Sequence, residues 1–216
     1  MSETTNAPVP ETLPDFTTED VRRDASYPQL RTDAAMRFIV KEVERTVSDN
    51  TGSYQMLLDV RPLAKDNRPV YPGTRLRLTA PWKNPSAKGK KYESVAPNTL
   101  GQWHKFLNAL YPETFMSFPK KVGQVWVTDG GAGSETLNTR EDNEAAREKI
   151  CAAIRERIQH YWKNPNALID EVFIAQPVED KGKDGNASYI NLDAFRVWSV
   201  DSPPTEVAVL TEKFTE

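Results

Sequence analysis

The chain has 216 residues, a net charge of −3, 38% hydrophobic residues and one cysteine. That length holds one domain with insertions or arms, and a lone Cys151 excludes an intramolecular disulfide and fits a reducing cytosol. Two histidines and one cysteine cannot build a zinc finger or ribbon, no apolar run approaches membrane-spanning length, and MSETTNAPVPETLPDF lacks the pattern of a secretory signal.

Residues 1–30, rich in Pro, Thr and acids, read as an irregular arm. Order is expected from about Ala35. In MRFIV, Met36, Phe38 and Val40 share one face of an extended chain, and VERTV continues it. SDNTGS (48–53) is a turn cluster. YQMLLDV then alternates again, with Tyr54, Met56, Leu58 and Val60 on the core face. GTRLRLTA is a third strand, Leu76 and Leu78 facing in, Arg75 and Arg77 side by side on the open face.

At TLGQWHKFLNALYP the period changes. Leu100, Trp103, Leu107 and Leu110 recur at helical spacing, Thr99 and Gln102 have capping-box spacing, and Pro112 closes the helix. QVWV is a short strand, and TDGGAGSETLN reads as loop. Thr139 caps a second helix running to about Lys163, with Ile150, Ile154, Ile158 and Tyr161 or Trp162 as its apolar stripe. EVFIAQPV and ASYINLDAFRVW form a closing hairpin, and residues 199–216 are a polar, acidic tail. Three strands, a helix, an inserted segment with a second helix and two final strands follow the order of the OB-fold. That fold is a five-stranded Greek-key barrel. The fold class is therefore mainly β with helices: one barrel over 31–198, a capping helix, and an insertion at about 112–170.

Three segments resemble phage-encoded OB-fold single-stranded DNA-binding proteins. AMRFIVKEVERTVSDNTGSYQMLLDVRPLAKDNRPVY is similar to their first hairpin, through Asn50, Gly52 and Met56 to Val60. LGQWHKFLNAL resembles their short helix, and EVFIAQPVEDKGKDGNASYINLDAFRVW their closing hairpin. Together these cover about half the chain. The insertion has no counterpart in that pattern, and VLTEKFTE does not match the Pro-Phe-ending acidic tail of bacterial housekeeping homologues. The resemblance implies a non-enzymatic protein of the bacterial host cytoplasm that coats single-stranded DNA in phage replication or recombination.

Charge distribution points the same way. Between Arg61 and Lys91 nine basic residues stand against one acid, Asp66, a local +8 that leaves −11 for the remainder. Phosphates attract cations, and base faces stack on aromatics. The candidate DNA-binding residues are Arg61, Arg75, Arg77, Trp82, Lys83, Lys88, Lys90, Lys91 and Tyr92, with Tyr71 a further platform. Tyr54 and Trp103 are assigned to the core. GGAGSET lacks the Lys-Ser/Thr of a nucleotide-binding loop and reads as linker. Glu141, Asp142, Glu144 and Glu148 would suit a metal-dependent nuclease only if they converged with other carboxylates. At the start of a helix they read as a solvated face. Cys151 reads as a small buried hydrophobe. No cofactor or metal is expected. The expected partners are single-stranded DNA, with a homo-oligomer or phage replication or recombination proteins beyond it, and no membrane. The alternative is an OB-fold structural or protein-interaction module using the insertion helix for assembly.

Overall fold

Alternation of side chains builds the first three strands, β1 (Met36–Val47), β2 (Tyr54–Pro62) and β3 (Thr74–Thr79). They are followed by α1 (Thr99–Leu110), β4 (Lys120–Val122), β5 (Val125–Gly130), β6 (Gly133–Leu137), α2 (Arg140–Lys163), β7 (Val172–Lys181) and β8 (Ser188–Trp198). This computed structural model describes residues 30–63, 73–86, 98–112, 114, 117–130, 133–181 and 188–209. Most of the proposed N-terminal arm, Tyr71, Lys88, Lys90, Lys91 and Tyr92 lie outside the described residues.

Five strands close into a barrel in the order β1-β2-β3-β8-β7. Neighbours are antiparallel except β3 and β8, which run parallel through the pair Leu76 and Leu192. The ring closes because β1 serves two partners: Met36 to Ile39 pair with β7, while pairing with β2 continues to Val47. An irregularity between Val40 and Glu42 bends the strand between these duties. There Lys41 reaches Asp170 at 2.7 Å, and Asp170, at φ 68°, donates its N–H to Val40 O at 2.8 Å.

Met36, Phe38, Val40, Met56, Leu58, Val60, Leu76 and Leu78 point inward and are buried. α1 adds Trp103, Phe106 and Leu107 to this core, each fully buried. Trp103 is fixed by its Nε1–H donating to Thr79 O at 2.9 Å, so its assignment to the core holds. The helix starts differently from expectation. Asn98, at φ 62°, is the N-cap and makes no side-chain cap bond, whereas Thr99 is buried inside the first turn. Burial of Thr99 and the chain's left-handed entry displace the capping box.

Thr139 does cap α2 reciprocally: its hydroxyl accepts from Asp142 N at 3.0 Å, and its N–H donates to Asp142 Oδ2 at 3.1 Å. Ile150, Ile154, Ile158 and Tyr161 form the buried stripe. Trp162 is half-buried, as is Cys151, which is not the buried residue expected.

Most of the segment TDGGAGSETLN is strand, not loop. Thr128 to Gly130 complete β5, Gly133 to Leu137 form β6, and with β4 they make a separate three-stranded antiparallel sheet. Ser134, Glu135 and Thr136 are exposed, so no inward-facing alternation marks the strand. Its pairing comes from backbone hydrogen bonds with β5. The linker reading of GGAGSET falls with it. Arg147 ties this sheet to α2, placing its guanidinium 5.9 Å from the Trp126 ring centroid and donating to Pro119 O at 3.3 Å. After β8 the chain returns to β1: Ala35 N–H donates to Ala208 O at 2.9 Å.

Candidate nucleic-acid interface

Strand register fixes what the outer face of β1, β2 and β3 presents. One cross-strand row reads Glu42, Asp59, Arg75, and the next Glu44, Leu57, Arg77. Arg75 and Arg77 stand side by side and exposed, as the alternation predicts. Their neighbours make them unequal. Arg75 Nε donates to Asp59 Oδ1 at 2.7 Å. That bond, and then the charges of Asp59, Glu44 and Glu42, hold the Arg75 guanidinium above its ordinary pKa. Arg77 has no ion pair among the described residues. The face therefore carries mixed charge. Its capacity for phosphate is concentrated at Arg77, since Arg75 is already engaged.

Arg61, near the end of β2, lays its guanidinium across Gly73, where even a Cβ would overlap it. Lys83 is exposed in the segment that leaves β3. That segment is clamped onto the β1–β2 turn. Asn84, buried, donates from Nδ2 to Gly52 O at 2.8 Å and accepts from Ser86 N at 3.0 Å. Gly52 adopts φ 71° as the turn demands, and Ser48 N–H bonds Ser53 O at 2.9 Å.

The clamp sets Trp82 over the barrel's edge. Trp82 is half-buried and meets Trp162 edge to face, with centroids 5.0 Å apart and planes at 87°. Tyr54 approaches the same indole at 6.0 Å and 73°. Tyr54 is thus half-buried at the rim, against Trp162, rather than sealed in the core with Met56 and Leu58, because the strand begins there. Arg45 Nη1 donates to Trp162 O at 2.9 Å, holding the end of α2 against β1. Trp162 therefore completes an aromatic cluster whose other members come from β2 and the segment after β3.

On the opposite flank of β3 lies an open groove of about 370 Å³, between β3, β8, the first turn of α1 and, at its border, Val178 and Glu179 of β7. Arg75 and Arg77 line one wall, and Gln102, Glu179, Asn191 and Asp193 also border it. The sequence reading missed these last four. A signal existed. Leu192 and Ala194 are buried at even positions, but Val197 is buried at an odd one, so the inward face changes parity within β8. Pro177 in β7 marks the same discontinuity. The register there passes from Pro177–Leu192 to Ala175–Val197, leaving residues 193–196 opposite Gln176 alone.

The acidic start of α2 shows no convergence. Glu141, Asp142, Glu144 and Glu148 are exposed along the helix, and Glu144 accepts from Arg140 at 2.8 Å. Among the described residues no group of three His, Cys, Asp or Glu side chains is placed to hold a metal ion, and no helix is long and apolar enough to cross a membrane. His104 is buried, 4.7 Å from the Phe118 ring centroid. No family model matches the chain, and no curated protein matches it either.

Proposed function

We propose that the barrel is an OB-fold and that the protein binds single-stranded DNA largely independently of sequence, protecting it during phage DNA replication or recombination. The strand order carries this reading: a closed β1-β2-β3-β8-β7 ring, β3 parallel to β8, with a helix between the third and fourth barrel strands. In such barrels the face of the second and third strands and the adjoining loops receive oligonucleotides.

Here that face holds Arg77 exposed beside Arg75, and the turn at its edge is pinned to the Trp82–Lys83 segment. Because Glu42, Asp59 and Glu44 offset part of the charge, Arg77, Lys83 and the sequence cluster Lys88, Lys90, Lys91 supply the phosphate contacts. The Trp82–Trp162 cluster supplies the base-stacking surface, with Tyr92, next to Lys91 in sequence, as a further platform. The reaction is binding alone, with no cofactor.

Titration with oligo-dT, followed by tryptophan fluorescence and compared with a duplex of equal length, tests the reading. Saturable quenching by oligo-dT with weaker duplex binding supports it. Equal affinity for both, or none for either, removes it.

An assembly module is the second reading. Val122 (51% exposed) and Val125 (39% exposed) flank the β4–β5 turn at Gly123, an apolar tip on a sheet outside the barrel. Concentration-dependent self-association lost in a Val122→Lys/Val125→Lys variant, with no oligo-dT binding in the parent, would favour it.

A further inference from the structure

We propose that the groove between β3, β8 and α1 holds one base of the bound strand and favours a base carrying an exocyclic amino group, cytosine foremost. This inference rests on the single-strand reading and adds a base preference to it.

The two sides of the groove differ chemically. Arg77 offers guanidinium N–H donors beside β3, and Arg75 borders the same wall. From the other elements come acceptors. Gln102 Oε1 is buried and has no hydrogen-bond partner among the described residues. Asp193 Oδ1 accepts from Phe195 N at 2.9 Å, which fixes the carboxylate and leaves Oδ2 to a ligand. Asn191 supplies both a donor and an acceptor, and Glu179 adds negative charge at the border.

Cytosine matches that polarity. Its N4 amino group donates, and carboxylates are natural acceptors for it. Its N3 and O2 accept and suit the guanidinium side. Thymine presents O4 where cytosine presents the amino group. A carbonyl would then face Gln102 Oε1 and the Asp193 carboxylate, leaving acceptors opposed and unsatisfied. At about 370 Å³ the groove is at the small end of ligand sites, which span roughly 300–1,000 Å³.

The chain departs from regular pairing to make this space. Residues 193–196 bulge out of β8 opposite a single residue, Gln176, and bulges re-aim side chains. The bulge carries Asp193 to the groove and lays the Phe195 ring against α1 at Gly101, where an added Cβ would sit 3.4 Å from Phe195 Cε1.

The test is paired titration of the full chain with dC and dT oligomers of equal length, near neutral pH and at one salt concentration. The parent is expected to bind dC tighter by about tenfold, toward the low end of what one well-made base-edge contact discriminates. Asp193→Asn keeps an oxygen for Phe195 N but removes the charge, and Gln102→Leu removes the buried amide at similar volume. In each the dC-to-dT affinity ratio should fall toward one, with thermal melts checking that both variants fold. Equal dC and dT affinities in the parent overturn the base preference while leaving single-strand binding standing. So does a ratio that persists in both folded variants. Failure to bind either oligomer overturns the single-strand reading and this inference together.

Discussion

Trp82 and Trp162 lie 80 positions apart in sequence, yet their rings meet edge to face at 5.0 Å. The contact fastens the segment after β3 to the end of α2. An aromatic pair of this geometry contributes about 0.5–1.5 kcal/mol beyond area burial. A double-mutant cycle of Trp82→Ala and Trp162→Ala should return a coupling in that range by chemical denaturation. On the single-strand reading, Trp82→Ala should also weaken oligo-dT by ~1–3 kcal/mol. A coupling near zero would mean that the two indoles are independent.

Trp103→Ala should behave otherwise. The ring is fully buried and its Nε1–H bonds Thr79 O. Truncation leaves a cavity and an unsatisfied carbonyl, and should cost roughly 3–5 kcal/mol of stability. Thermal melting of Trp103→Ala beside Trp82→Ala separates core from rim: Trp103→Ala should lose much more.

The Arg75–Asp59 pair leads to a gain of binding. Asp59→Asn removes the carboxylate that engages Arg75 and leaves the guanidinium to a phosphate. Oligo-dT affinity should rise, and the slope of log K against log salt should steepen by about 0.7 for one added phosphate contact. Arg77→Ala should flatten that slope by a similar amount. Stability should barely change in either, since an exposed ion pair contributes about 0–1 kcal/mol. Titrations over a salt series measure this, and an Asp59→Asn slope equal to the parent's would exclude Arg75 from phosphate contact.

A tyrosine relay makes stability sensitive to alkali. Tyr161 Oη donates to Tyr111 Oη at 2.8 Å, and Tyr111 Oη donates to Glu171 Oε1 at 2.6 Å. Burial pushes both phenols above the ordinary value of 10.0, and for Tyr111 the bond to Glu171 pushes further the same way. The folded state thus retains protons that the unfolded chain releases. The stabilisation is complete below about pH 10 and is lost as pH rises beyond it, toward the folded-state values. Tyr161→Phe removes one donor, costs about 0.5–1.5 kcal/mol near neutrality, and should reduce the alkaline loss. Urea denaturation at about pH 8 and about pH 11 reads both effects.

Much of the barrel was legible in the sequence. Period-two alternation identified β1, β2 and β3 and placed Arg75 and Arg77 outward, because each strand has one face in the core. Helical spacing identified α1 and α2, and Thr139 marked where α2 starts. Strands β4 and β6 escaped notice because their described side chains are exposed except Leu137, so no alternation marks them and backbone pairing does most to specify them.

The candidate site divides along the same line. Local sequence determined which residue types were on offer: guanidiniums on β3, an indole after it, amides and carboxylates in α1 and β8. Tertiary structure decided their partners. Asp59 engages Arg75 because the β2–β3 register sets them opposite, and Trp82 lies on Trp162 because α2 ends at the barrel rim. Gln102, Asn191 and Asp193 border one groove because β8 bulges past Gly101. Each relation joins residues of separate elements, whose register and packing leave little signature within any one of them.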